Sequence, residues 1–323
     1  MKKINVKQMG MDLTDGKNII KLTSSISWKI FRLILLLGLG FIILNPIIFK
    51  FSTSIKSVTD LYDPTVFLVP KEPTAEYLLK IIDFSDYIPT FITTTLFTVV
   101  SVILQLSSCL LVAYGIARFK FPGRNIIFVL VMITLIIPSQ TVLLPLYLQF
   151  RNFSVSTLFS MAATGRGIPL LNTYWPFMIM SVSALGLKNG LIIFILRQYF
   201  RNLPVVLEEA AYIDGCGVLK TFIRIMLPSS VPILVTSGLF LTVWIWNDNY
   251  YPAFFGSDLG IFAVKFSNIG TRIVVSLGDQ YNTFLAGIYN NAAVFIHIIP
   301  VLIIYIVGQK YYIQGIERSG IVG

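Results

Sequence analysis

Residues 197–232 read RQYFRNLPVVLEEAAYIDGCGVLKTFIRIMLPSSVP, a polar, punctuated stretch between two far more apolar ones. Taken by itself it spells two short helices joined by a turn. Pro204 stands where a helix starts, because the first helical positions have no use for the missing N–H. Glu208 and Glu209 follow, close to that positive helix end. Asp214-Gly215 reads as a stop, with Gly215 free to take a positive φ. Residues 218–226 suit a second helix carrying Lys220 and Arg224 on one side, and Pro228 opens the next segment. Ala210 and Ala211 form a low-relief patch that a partner backbone can approach closely.

The segments around this stretch fix its setting. Crossing a bilayer takes about 20 mostly apolar residues in a helix. Six runs qualify: 30–49, 89–116, 126–148, 174–199, 231–250 and 284–307. None alternates with period two, and each is too long for a strand. The first is longer than the apolar core of a signal peptide and lacks a small-x-small cleavage site, so it reads as a retained span. Of 323 residues, 55% are hydrophobic and 12% charged, the latter about half the usual share of ~25%. Mean hydropathy is +0.79. Such a chain cannot cover a water-facing surface, which excludes an ordinary cytosolic enzyme, a disordered regulator and, with only 2 cysteines, a disulfide scaffold. The expectation is an all-α membrane protein of six transmembrane helices: a segment 1–29, a body 30–308 containing the loop 200–228, and a tail 309–323.

A net charge of +10 suggests nucleic acid in a soluble protein, but here its location decides. With the N-terminus inside, the inner segments hold twice as many Lys and Arg as the outer ones. That bias puts both termini and the 200–228 loop in the cytoplasm and leaves the basic excess against anionic lipid.

Glu209-Ala210-Ala211, then Gly215, Ile225 and Leu227-Pro228, match EAA-x3-G-x9-I-x-LP at every defining position. The chain thereby resembles the permease subunits of bacterial ATP-binding-cassette importers. Leu171-Asn172-Thr173-Tyr174-Trp175, Arg197-Gln198-Tyr199-Phe200, Trp246-Asn247-Asp248 and Gln309-Lys310-Tyr311-Tyr312 with Gly315 look like the carbohydrate branch of that family. The chain departs from the pattern at 151–167, where the loop is longer, and at the Ile321-Val322-Gly323 end. The resemblance implies the type I importer permease fold in the cell membrane and a sugar or oligosaccharide substrate. It also implies four partners: a second permease, two copies of an ATPase and an extracytoplasmic binding protein. Coupling falls to Glu208, Glu209, Ala210, Ala211, Asp214, Gly215, Ile225, Leu227 and Pro228, with Glu209 bonding in a cleft of the ATPase, the alanines allowing a close fit and Gly215 setting the angle between the helices. The chain itself is expected to be no enzyme and to bind no cofactor, with ATP and Mg on the partner. The nearest approach to a phosphate loop, Gly10 to Lys17, has one residue too many and ends in Asn18 where Ser or Thr must hold the metal.

Polar residues inside spans face protein or a wet cavity. Thr94, Thr98, Ser101, Gln105 and Ser108 share one face of the second span, either as helix–helix fasteners or as a wall of the pathway. Lys188-Asn189-Gly190 interrupts the fourth span. Lys188 either snorkels or pairs with a partner's acid, or it stands in the pathway, where it would favour acidic sugars. Trp246 is a candidate stacking platform or an interface-belt aromatic. Asn290 shares a face with His297, which is read as a packing residue before a proton relay. An importer of another solute class remains open. A stand-alone carrier predicts inverted repeats and acids within spans, and the sequence shows no clear repeat and no Asp or Glu in the core of any span.

Overall fold

The computed structural model describes residues 16–154, 167–186, 188–256, 258–278 and 282–320, with side chains from 27 to 309. Most of the 151–167 departure, the near-miss at Gly10 and the end at Ile321 lie outside these. Among the described residues the chain is helical, with no strand beyond isolated bridges at Lys56–Pro73 and Phe153–Ile168. It divides into two compact units between Ala75 and Glu76, inside what the sequence presents as an outer loop.

The first unit is dominated by α1 (Gly16–Ser54). Its leucines, isoleucines and phenylalanines are exposed all round, Ile34 by 65% and Ile42 by 68%. Water would not tolerate that surface, whereas lipid does. After α1 the chain folds over a buried lysine. Lys56 is 5% exposed and its Nζ donates to the carbonyls of Val66 at 2.9 Å and Phe67 at 2.8 Å. Ser57 caps α2 (Val58–Tyr62), and the Asp60 carboxylate accepts the Glu72 N–H at 2.9 Å.

The second unit begins with α3 (Glu76–Phe84) and the long α4 (Tyr87–Arg118). Next come α5 (Arg124–Ile136), α6 (Ser139–Arg151), α7 (Trp175–Val182) and α8 (Asn189–Asn202). The 200–228 loop holds α9 (Val206–Ile213), α10 (Val218–Thr221), a π turn (Phe222–Met226) and α11 (Leu227–Ser229). Then follow α12 (Val231–Asn247), α13 (Tyr250–Phe255), α14 (Phe262–Lys265), α15 (Ile269–Ser276) and α16 (Thr283–Gly320).

Among the described residues, three helices are long and apolar enough to cross a membrane, and up to six spans result if each of three bent helix pairs counts as one. The third predicted run is therefore not one straight span. α5 and α6 meet at 100°, because Pro138 pushes Ile137 out of helical geometry to ψ 122. The fourth run is broken too, between α7 and α8, with Ala184 at φ 55 and Lys188 at φ 57. Left-handed geometry costs a non-glycine residue about 1–3 kcal/mol, so packing must hold this break open.

α4 is the hub, packed against α7, α8 and α12. Cys109 and Ala113 on α4 and Ile192, Leu196 and Phe200 on α8 are fully buried; the small α4 side chains let the α8 face approach closely. In lipid this packing replaces the hydrophobic driving force, because acyl chains are as apolar as leucine. The polar stripe on α4 turns the same way. Thr94, Thr98, Ser101 and Gln105 are all buried, and the Thr94 hydroxyl accepts the Phe262 N–H at 2.9 Å. Ser108 Oγ donates to the Ser181 carbonyl at 2.6 Å. Arg197, 5% exposed, stacks its guanidinium 3.6 Å over the Phe128 ring.

Candidate functional site

The 200–228 loop folds into a knob whose inner and outer faces differ in chemistry. α9 ends in a paired cap: the Gly215 N–H donates to the Tyr212 carbonyl at 3.1 Å and the Cys216 N–H to the Ala211 carbonyl at 2.9 Å. This closure requires a left-handed residue, supplied by Gly215 at φ +75, where an added Cβ would meet nothing. Gly215 is thus demanded by conformation, not by space, and Asp214 is the exposed residue before it. The second helix is not regular. Pro228 has no N–H to give the preceding turn, and there the Leu227 N–H reaches back five residues to Phe222. Ile225 lies in this π turn, partly covered like Leu227, and the Ser229 hydroxyl donates to its carbonyl at 2.7 Å.

The two glutamates part company. Glu208 is 6% exposed and faces its own chain. Tyr114 Oη donates to its Oε1 at 2.9 Å, and Arg118 Nε lies 3.4 Å from its Oε2. Arg118 also donates from Nη2 to the Leu203 carbonyl at 2.8 Å, so the end of α4 grips α9 and the turn before it. The Tyr114 ring packs against Phe200 and Phe222 at 5.4 and 4.7 Å. Glu209 and Ala210 point outward, whereas Ala211 is 2% exposed and packs inward. Of the residues the sequence reading assigns to coupling, Glu208 and Ala211 are therefore buried in the chain itself, with Glu208 held by the end of α4. Sequence reasoning missed the outer apolar rim, Val206, Tyr212, Ile213 and Leu219, with Ile213 86% exposed. Its signal was available, since polar residues would be the default on a solvent-facing loop.

A second site lies where the two broken spans meet. A cleft of about 640 Å³ is lined by Ser139, Gln140 and Gln149 of α6, by Lys188 and Asn189 at the start of α8, and by Tyr251. Gln105 reaches the same break from behind, its amide donating to Asn189 Oδ1, which Cys109 Sγ approaches at 3.4 Å. Two glycines make this possible. A Cβ on Gly186 would stand 2.7 Å from Gln105 Oε1, and one on Gly190 2.8 Å from Thr134 Oγ1 and 2.9 Å from the Val131 carbonyl. Backbone that leaves helical form at membrane depth is tolerated where it lines a cavity, and here both breaks do.

Two predicted pathway residues are not at this cleft. Trp246 is 2% exposed, with Nε1 donating to the His297 carbonyl at 3.1 Å and its ring against Phe91 and Phe262. No face is left for a sugar. Asn290 Oδ1 accepts the Gly270 N–H at 2.9 Å and fastens α15 to α16, which touch so closely that a Cβ on Gly270 would lie 2.0 Å from the Ala286 carbonyl.

Broken membrane helices around a polar cleft, together with a knob at a loop, define a multi-pass transport permease. The chain belongs to the family of binding-protein-dependent transport system inner membrane components, whose match runs over residues 109–312. Members of that family are ABC transporter permease subunits, not enzymes themselves. YurM of Bacillus subtilis (strain 168), a probable ABC transporter permease protein, is 32% identical over 211 residues, 65% of this chain and 62% of YurM. The arabinooligosaccharides transport system permease protein AraQ of Halalkalibacterium halodurans is 30% identical over 227 residues, 70% of this chain and 71% of AraQ. The fold matches a chain in the crystal structure of a bacterial ABC transporter involved in import of the acidic polysaccharide alginate. The TM-score is 0.69 at 22% identity, covering 90% of this chain and 98% of that one.

Proposed function

We propose that this chain is one half of the translocation pore of an ATP-driven importer for sugars or oligosaccharides. Its 200–228 loop sits on the cytoplasmic side and docks on a separate ATPase, which binds ATP and Mg. The complex contains a second permease, two copies of that ATPase and an extracytoplasmic binding protein, in a bacterial cell membrane with both termini of this chain inside. The EAA loop carries the reading. Its inner face is bound to α4 through Glu208, while Glu209, Ala210 and the apolar rim around Ile213 face outward. A displacement of the knob is then passed to α4 through Tyr114 and Arg118 and to α8 and α12 through the chain, and α4 and α8 adjoin the cleft. The relatives that carry oligosaccharide names support the substrate class.

The test is reconstitution. Purified from its native host, the chain is expected to bring down an ATPase and a second permease. In vesicles it is expected to import oligosaccharide only with ATP, and Ile213→Ser is expected to lower transport while the complex stays in the membrane. Uptake by the chain without a nucleotide-hydrolysing partner would overturn the reading.

A further inference from the structure

Among the described residues, the cleft between the broken spans is lined by polar side chains and by one sign of charge. Lys188 is exposed and lines it, with no acceptor for its Nζ among the described residues. Among the described residues no Asp or Glu lines the same cleft. Lys188 is also the residue that precedes α8, a helix of 14 residues, so the positive end of the helix dipole adds to its charge. Asn189 is 6% exposed and lines the cleft as well. Its Oδ1 is taken up by Gln105, while its Nδ2 has no acceptor. A buried amide N–H without a partner is costly and is seldom left so. Whatever fills this space to complement it must bring acceptors and negative charge together.

We infer that the cleft is a subsite for a carboxylate-bearing saccharide, a uronate unit, with Lys188 as its counter-ion and Asn189 Nδ2 and the α6 glutamines as hydrogen-bonding groups. This inference rests on the saccharide reading of the preceding subsection and narrows it from sugars to acidic sugars. Lys188 stands in left-handed backbone, and Gly190 lets α8 start directly against α5. A carboxylate offers two oxygens to these donors, whereas a neutral sugar leaves the lysine without a counter-charge.

The experiment uses the complete importer in proteoliposomes, with labelled trimers in matched pairs: galacturonate against galactose, and mannuronate against mannose. The parent is expected to import at least one uronate trimer. Lys188→Gln is expected to lower that uptake about tenfold, equivalent to ~1.4 kcal/mol, and to lower neutral uptake by far less. Lys188→Arg should retain most of the uronate transport. Copurification of all subunits is measured alongside. Equal loss for both sugar classes, or loss of the second permease, assigns Lys188 to a subunit contact and overturns the inference. So does unchanged uronate uptake in Lys188→Gln, or a parent that imports only neutral trimers. A parent that imports neither class brings down the saccharide reading itself, and this inference with it.

Discussion

Glu208 and Glu209 carry the same charge on adjacent residues, and the structure gives them opposite surroundings. Replacing Glu208 by alanine removes the acceptor of Tyr114 Oη and the counter-charge of Arg118, in a pair whose side chains are each 8% exposed. Breaking a buried pair by deleting one partner costs about 3–5 kcal/mol, because the surviving charge stays buried. At roughly 2–4 °C per kcal/mol for a body of this size, the unfolding midpoint falls by on the order of 10 °C. Glu209→Ala, on the exposed face, should stay within about 0.5 kcal/mol of the parent and act instead on ATP-driven transport. The assay is thermal unfolding of the assembled complex in detergent, followed by tryptophan fluorescence. The double variant Glu208→Ala/Arg118→Met is the decisive control. It removes both charges, and the loss of two paired charges is often nearly neutral, so it should recover part of the lost stability. Equal midpoint shifts for the two glutamate variants, or a double variant no more stable than Glu208→Ala, would refute the proposed tether.

Three further outcomes follow from particular contacts. Gly270→Ala puts a methyl 2.0 Å from the Ala286 carbonyl, so α15 and α16 must separate, at about 1–3 kcal/mol. Gly238→Ala meets only Leu106 Cδ2 at 3.7 Å and should be neutral or stabilise α12 by about 0.5–1 kcal/mol; in detergent only Gly270→Ala should lose stability. At Gly215, where the demand is a positive φ, Asn should be accepted and Val should cost about 1–2 kcal/mol, read as loss of stability and of coupled ATP hydrolysis. Lys56→Met strands the Val66 and Phe67 carbonyls, at about 1–3 kcal/mol, and limited proteolysis should then cut more readily between residues 55 and 75.

Hydropathy made the six runs legible, and spacing made the EAA loop legible, because both are short-range properties of the chain. The stop at Gly215 and the interruption at Lys188 were readable for the same reason: a left-handed turn and a charge beside glycine are local signals. The run 126–148 read as one span, and the 100° bend at Pro138 came only with the structure. The sequence cannot tell lipid-facing from protein-facing apolar residues, since both environments select the same side chains. For that reason Trp246 and Asn290 looked available and are buried or engaged, while the rim around Ile213 went unnoticed. Which glutamate faces the chain's own core depended on Tyr114 and Arg118, remote in sequence and brought to α9 only by the packing of α4 on α8. The cleft is of the same kind: two helix breaks, of which only the one at Lys188 was readable, become a site only when tertiary packing sets them side by side.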